Sequence, residues 1–206
     1  MADTGTCCSL ACCVKNGRRN MPTDLFHGNL VYLTAEEPEA QATSFSRWFR
    51  NTQFARLLAT APEILWSSNK IKEWIEKDYE KDKPEGYFFT VRASQNDRLI
   101  GFFGLWDIEV NHLNSIIAIG IGEPEYWGKG YGSEAMQLAL RYAFTELNLH
   151  RVSLFVFAYN TRAIRSYYKS GFRLEGIQRK AMLRDGERHD IVAMGILREE
   201  WEARAA

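Results

Sequence analysis

Hydrophobic and polar positions alternate with different periods along the chain, and the first third favours helices. Residues 30–36 form a short apolar run that predicts a strand, and residues 39–49 predict a helix that begins after Glu-Pro-Glu. Ser67 or Ser68 is suited to cap a second helix, and the polar residues between the two helices predict a loop. The second helix carries an apolar stripe at helical spacing that we expect in the core: Ile71, Trp74, Ile75 and Tyr79.

The middle of the chain changes to the pattern of strands. Residues 87–92, 99–108 and 114–121 are apolar runs separated by short polar turns, which predicts antiparallel hairpins. Residues 130–147 return to helical spacing, and residues 151–158 are so continuously apolar that the pattern predicts a strand covered on both faces. The order strand, helix, strand indicates a parallel crossover.

The last third predicts a short helix over 161–169, ended by Gly171, and then two strands joined by a turn at 184–187. With 206 residues and 46% apolar content, the chain is long enough for one sizeable core. We therefore predict one α/β (α+β) domain over residues 24–206, with a mixed, mostly antiparallel sheet of six or seven strands flanked by helices. Residues 1–23 are predicted to be a disordered, cysteine-containing leader.

Charge adds little to this picture. Lysine plus arginine number 26 and aspartate plus glutamate number 26, so the net charge gives no field that would favour nucleic acid or an anionic membrane. No apolar run approaches the roughly 18 residues of a membrane span, and no secretory signal pattern opens the chain. The expectation is a cytoplasmic protein without nucleic-acid or membrane partners, and a homodimer is an assembly that the sequence allows.

The cysteines occupy a single short stretch. Beyond residue 13 the chain has none, so the predicted domain contains neither a disulfide nor a cysteine nucleophile. Four thiolates could complete a zinc site, but adjacent pairs are awkward ligands and no histidine supports them. We favour a leader, or an upstream start ahead of an initiator at Met21, and we expect no metal. The four are Cys7, Cys8, Cys12 and Cys13.

A glycine-rich loop lies between the strand ending near Ile121 and the following helix. Glycines at alternate positions expose backbone N–H groups, and the helix start adds a positive dipole end, so the loop predicts an anion site. A P-loop would need Ser or Thr after Lys129, where Gly130 stands, and a dinucleotide fingerprint would need a later third glycine and an acidic residue after the next strand. Close packing of helix on strand is the alternative explanation for these glycines.

Motifs downstream of the loop, taken together with it, resemble those of a known protein family. Asn160-x-x-Ala163-Ile164-x-x-Tyr167, followed by Gly171-Phe172, is arranged with the loop in an order that resembles the GNAT superfamily of N-acetyltransferases. The resemblance covers residues 30–200 and is nearest to the ribosomal-protein N-terminal and spermidine acetyltransferases. It implies that the fourth and fifth strands form a parallel pair that splays apart.

The resemblance also implies a binding site for acetyl-CoA. Its pantetheine arm is expected to lie beside the fourth strand near Ile119 and Ile121, and the Asn160 side chain is expected to hydrogen-bond it, although a helix N-cap also suits Asn160. Family members often have Arg or Gln where Trp127 stands. Because this position contributes mainly its backbone N–H to the phosphate, we expect the change to leave coenzyme binding intact. The pyrophosphate is expected on six residues: Trp127, Gly128, Lys129, Gly130, Tyr131 and Gly132.

The expected reaction is direct attack of an amine on the thioester, because no cysteine is available to carry the acetyl group. Tyr167 matches the family tyrosine that protonates the leaving thiolate, and a core aromatic is the alternative. A backbone N–H near Ile121 or Gly122 is expected to hold the oxyanion. The fourth strand has no carboxylate, so Asp107 is the candidate base, against the alternative of a solvated turn residue.

The acceptor stays open at this stage. A protein N-terminus and a small amine are both compatible with the motifs, and a polyamine acetyltransferase is the alternative within the family. A polyamine site needs several carboxylates to hold dispersed ammonium charges. An acyl-CoA-binding module without catalysis is a further alternative, which the presence of Tyr167 disfavours.

Overall fold

The computed structural model describes residues 24–62, 64–79 and 86–205. Its strands are β1 Val31–Thr34, β2 Gly86–Ala93, β3 Arg98–Glu109, β4 Asn114–Ile121, β5 Arg151–Phe157, β6 Arg173–Arg184 and β7 Glu187–Leu197. Its helices are α1 Pro38–Phe49, α2 Thr52–Leu58, α3 Ser68–Tyr79, α4 Tyr131–Thr145, α5 Thr161–Ser170 and α6 Arg198–Ala205.

One sheet connects all of these strands in the order β1-β2-β3-β4-β5-β7-β6. Every neighbouring pair is antiparallel except β4 and β5, which run parallel and pair only from Asn114–Ile116 to Arg151–Ser153. Beyond those residues β4 continues beside β3, and β5 continues beside β7. The predicted mixed sheet with a splayed parallel pair is therefore confirmed.

Helices cover the sheet on two faces and create two cores. On one face α4 packs against the sheet around Phe103, Phe144 and Leu154, which are buried. On the other face the first three helices pack Phe45 and Trp48 against the β3 residue Phe102. The second core lies directly beside the point where β4 and β5 diverge, so the two cores hold the two sides of the opening.

Two short helices were missed by the sequence pattern. Helix α2 falls where a loop was predicted, and it begins at Asn51, whose side-chain oxygen accepts from the N–H groups of Gln53 and Phe54. Helix α6 follows the last strand, and its Trp201 ring packs 5.3 Å from the ring of Phe144. Helices of two turns carry too few periodic positions to show in a hydrophobic pattern.

Two expectations about burial were wrong. Ser67 caps α3 as expected, with its hydroxyl accepting from the Lys70 N–H at 3.3 Å, and Ile71 is buried, but Trp74 of the predicted stripe is 54% exposed. On β5, Phe155 is 52% exposed, so this strand is not covered on both faces. The reason is local, because β5 no longer pairs with β4 at this point and Phe155 faces the space between the two strands.

The expectation that the chain has no membrane span depended on the lengths of its apolar runs, and the lengths of its helices can be compared with the same roughly 18 residues. Among residues 24–62, 64–79 and 86–205, no helix combines the length and the apolar character that crossing a bilayer demands. The four cysteines and the predicted leader lie outside the described residues.

Candidate active site

The divergence of β4 from β5 opens a cleft of about 400 Å³. Its walls are residues 117–121 of β4 on one side and 155–157 of β5 on the other. Helix α2 contributes Phe54 and Leu57 to the cleft, and α5 contributes a polar side. Residues that are distant in sequence therefore meet around one elongated space that runs from the glycine loop to α2.

The backbone of β4 presents hydrogen-bonding groups to this cleft. The Gly122 N–H donates to the Ile100 oxygen at 2.8 Å and so points toward β3. Because N–H directions alternate along a strand, the N–H groups of Ile119 and Ile121 point the other way, toward the cleft. Of the two expected oxyanion donors, Gly122 is thereby excluded and Ile121 is retained.

The glycine loop has the backbone shape that only glycine adopts easily. Gly128 and Gly130 have φ values of 74° and 95°, and Gly130 is the N-cap of α4. Both line the cleft, as does Gly132, so the α4 N-terminus faces this space without a side chain in between. Free N–H groups and the helix dipole together suit a phosphate group.

Two residues of the predicted cradle do not line the cleft. Lys129 is exposed, and the Tyr131 ring is buried and packs perpendicular to Tyr126, with ring centroids 4.8 Å apart. For these positions the structure leaves only the backbone N–H to face a ligand. Close packing therefore accounts for the Tyr131 side chain, whereas Gly128, Gly130 and Gly132 face the cleft.

The Trp127 side chain lines the cleft and contacts both of its sides. Its indole N–H donates to the Ile121 oxygen at 2.7 Å, which ties the loop to the last residue of β4. From the opposite wall, the Arg162 guanidinium lies over the indole ring, 4.1 Å from its centroid. The substitution of Trp for the usual Arg or Gln therefore adds a side-chain contact across the cleft.

A buried carboxylate anchors the start of the loop. Glu123 accepts from the indole N–H of Trp48 at 2.8 Å and from Arg98 at 2.6 Å, and it also pairs with Arg47. Gly122 makes this arrangement possible, because a Cβ there would lie 2.1 Å from the Trp48 ring. The sequence pattern gave no signal for this cluster, since Trp48 and Glu123 are 75 positions apart.

Asn160 begins α5 at the end of β5. Its side-chain oxygen accepts from the Ala163 N–H at 3.2 Å, so the N-cap interpretation is confirmed. The cap uses the oxygen only, and the amide NH₂ donates to no group within the described parts of the chain. Asn160 also lines the cleft, and the NH₂ is therefore free to donate to a ligand.

Tyr167 reaches the cleft from the middle of α5. Burial raises the pKa of its phenol to about 12, so it stays protonated through the neutral range. Its hydroxyl makes no hydrogen bond to residues 24–62, 64–79 or 86–205, and its ring packs 5.9 Å from that of Phe172. The neighbouring Tyr168 is 48% exposed and does not line the cleft, as expected for adjacent positions on a helix.

Three cations on one face of α5 were missed as site residues. Arg162, Arg165 and Lys169 all line the cleft, at spacings that place them on the same side of the helix. None of the described residues that line it is a carboxylate or a histidine. The spacing was visible in the sequence, but without a structure it was not distinguishable from an ordinary solvated face.

Asp107, the candidate base, is not brought to the cleft. It is exposed at a φ of 48° in the irregular stretch of β3 between Trp106 and Glu109. That stretch lies at the end of the sheet where β4 and β5 are still paired. Among the residues that the structure describes, no three or more histidine, cysteine, aspartate or glutamate side chains lie close enough together to hold a metal ion.

Comparison with known proteins agrees with this geometry. An N-acetyltransferase of a Bacillus subtilis prophage, YokL, is 33% identical over 136 residues, which cover 66% of this chain and 74% of that protein. The spermidine N(1)-acetyltransferase of Vibrio cholerae is 32% identical over 146 residues, which cover 65% of this chain and 83% of the enzyme.

A solved structure shares the same fold. The crystal structure of the spermidine N-acetyltransferase from Vibrio cholerae in complex with CoA and spermine superposes with a TM-score of 0.75 at 26% identity, covering 85% of this chain and 99% of that one. The family model of the acetyltransferase (GNAT) domain matches residues 30–173, which is more than half of the chain. The chain therefore belongs to the GNAT family of N-acetyltransferases, as its loop and its downstream motifs predicted.

Proposed function

We propose that this protein transfers the acetyl group of acetyl-CoA directly to a primary amine, with both substrates bound at once. The observation that carries the proposal is the convergence of three groups on one cleft: the glycine loop, the unpaired side of β4 and the Tyr167 hydroxyl. Each matches one part of the donor, namely its phosphates, its extended pantetheine arm and its leaving thiol.

The residues of the cleft fit the donor chemically. Backbone N–H groups at the α4 N-terminus and the α5 cations favour the anionic phosphates, with Arg162 already oriented across the cleft. The amide groups of pantetheine can pair with β4 through Ile119 and Ile121, as an added strand would. The free NH₂ of Asn160 supplies a further donor on the opposite wall.

The reaction needs three events around the thioester. The amine nitrogen forms a bond to the carbonyl carbon, and the resulting oxyanion accepts from a backbone N–H, for which Ile121 is the candidate. The carbon–sulfur bond then breaks, and Tyr167 donates its proton to the departing thiolate. An ammonium group loses one proton to water before the attack and a second after it, and Tyr167 recovers one from water. The reaction therefore releases one proton in total, without a role for Asp107.

Polyamine acetylation is the second candidate function, because spermidine acetyltransferases are among the similar proteins. Mass spectrometry of amines and short peptides incubated with the protein and acetyl-CoA tests both. An acetylated product with stoichiometric release of free CoA thiol is the expected result. Tight coenzyme binding without any acetylated amine would instead favour a non-catalytic acyl-CoA-binding module.

A further inference from the structure

A second hollow continues the cleft on the side away from the glycine loop. It has a volume of about 280 Å³ and shares Leu58, Phe155, Val156 and Phe157 with the cleft. The remaining walls are the segment 59–61 after α2 and Ile191 of β7. If the donor lies between the loop and Tyr167, this hollow is where the acceptor meets the thioester.

The hollow is apolar and held open by hydrogen bonds. Every lining residue except Thr60 is hydrophobic, and the Phe155 ring is 52% exposed at its junction with the cleft. Arg184 fixes the α2 wall by donating to the Ala59 oxygen at 2.9 Å and to the Arg56 oxygen. Tyr159 also donates to the Arg56 oxygen, at 2.9 Å. An ordered apolar wall of this kind suits a hydrophobic side chain of a ligand.

The charges near the hollow are unsuited to a polycation. The Arg184 guanidinium lies 5.5 Å from the Phe157 ring centroid, and Arg56 is the next cation on the same rim. The acidic residue beside them, Asp185, already pairs with Arg56 and is 74% exposed. A chain of ammonium groups such as a polyamine would therefore meet these cations, and none of the described residues that line the hollow is a carboxylate.

The lining residues also restrict the pKa of the acceptor amine, because none of those described could take up its proton as a general base. No carboxylate or histidine is among the described residues that line the cleft or the hollow, and His189 packs outside them against Tyr159, with ring centroids 5.0 Å apart. A peptide α-amine has a pKa of about 7.7–8.0, so roughly a quarter to two fifths is neutral at pH 7.5. An alkyl amine with a pKa of about 10.4 is neutral in only about one molecule in a thousand.

We propose that the acceptor is an α-amine and that the hollow takes the apolar side chain next to it. The inference rests on the proposed acetyl transfer and narrows its substrate to an amino-terminal residue such as leucine. The α-amine supplies enough of its own free base, which removes the need for a protein carboxylate. The apolar wall of the hollow selects acceptors by the side chain of their first residue.

The test compares tripeptides that differ only in their first residue, leucine, glycine, aspartate or lysine, together with spermidine. The measurement is kcat/KM from CoA thiol release. Leucine-first peptide is expected to exceed glycine-first peptide by about tenfold or more, the usual effect of filling an apolar pocket. Spermidine preferred over every peptide, or equal rates for all first residues, would overturn the inference and leave acetyl transfer standing. No acetylation of any amine despite coenzyme binding would overturn the transfer itself.

Variants locate the effect in the hollow. Ile191→Glu should bring the leucine-to-glycine ratio close to one with the acetyl-CoA Kd unchanged, because Ile191 lines the hollow and not the cleft. Ile191→Ala provides a milder second variant should the first fold poorly. Leu174→Glu is the matched control, because Leu174 is an apolar residue, 48% exposed, that lines neither space. A ratio that survives in both hollow variants would place the acceptor elsewhere.

A pH profile tests the argument about the base. For the leucine-first peptide, kcat/KM should rise along one limb with an apparent pKa near 8, that of the substrate amine. His189→Asn should leave this limb in place. A limb near pH 6.5 that disappears in this variant would identify a protein base and contradict the inference.

Discussion

Replacing Glu123 with alanine should destabilise the protein more than any exposed acidic substitution. The change leaves the buried indole N–H of Trp48 without its partner, which costs about 1–3 kcal/mol. It also removes the partner of Arg47 and one of the two partners of Arg98. Because these arginines are 56% and 43% exposed, each lost pair adds only about 0–1 kcal/mol. The sum is about 3 kcal/mol, or a Tm lower by about 10 °C for a chain of this size.

Glu125→Ala is the matched control, because Glu125 pairs with the same Arg98 at 2.7 Å but is 49% exposed. Its loss should cost at most about 1 kcal/mol. Urea denaturation measures the free energy of unfolding of both variants, which can be compared directly if their m-values are equal. Similar losses for Glu123→Ala and Glu125→Ala would refute the view that burial and the indole bond decide the energy. Since Glu123 precedes the glycine loop, we also expect weaker acetyl-CoA binding in Glu123→Ala alone.

Three further predictions concern the donor half of the site. Tyr167→Phe should lower kcat at least about tenfold while the acetyl-CoA Kd from calorimetry stays unchanged, because the substitution removes only the hydroxyl, which stays protonated at neutral pH with a pKa raised to about 12 and is the proposed proton donor. Tyr168→Phe is the neutral control. Gly130→Val should abolish coenzyme binding, because valine is strained at a φ of 95°, and full affinity would contradict the cradle. Asn160→Asp should retain the helix cap but weaken binding severalfold, since Oδ1 is kept and the NH₂ donor is lost; unchanged affinity in calorimetry would exclude Asn160 as a ligand.

The sheet and the backbone shape of the glycine loop could be predicted from the sequence because both are local features. Strand alternation located the β-strands, and the positive φ of Gly128 and Gly130 follows from their residue type. The Glu123 cluster and the Arg184 contact with the α2 end could not be predicted, because each joins segments far apart in sequence. The open face of β5 at Phe155 was hidden for a related reason, since an apolar run does not show where a neighbouring strand departs.

The departure of β4 from β5 also has a consequence for handling the protein. A sheet ordinarily has two outer edges, but here residues 117–121 of β4 form a third, internal edge that faces the cleft. Unpaired strand edges invite pairing with other chains. A bound coenzyme would cover this edge, and a ligand at about 100 times its Kd stabilises a folded protein by about 2.7 kcal/mol. Purification and storage with CoA should therefore suppress aggregation as well as raise the melting temperature.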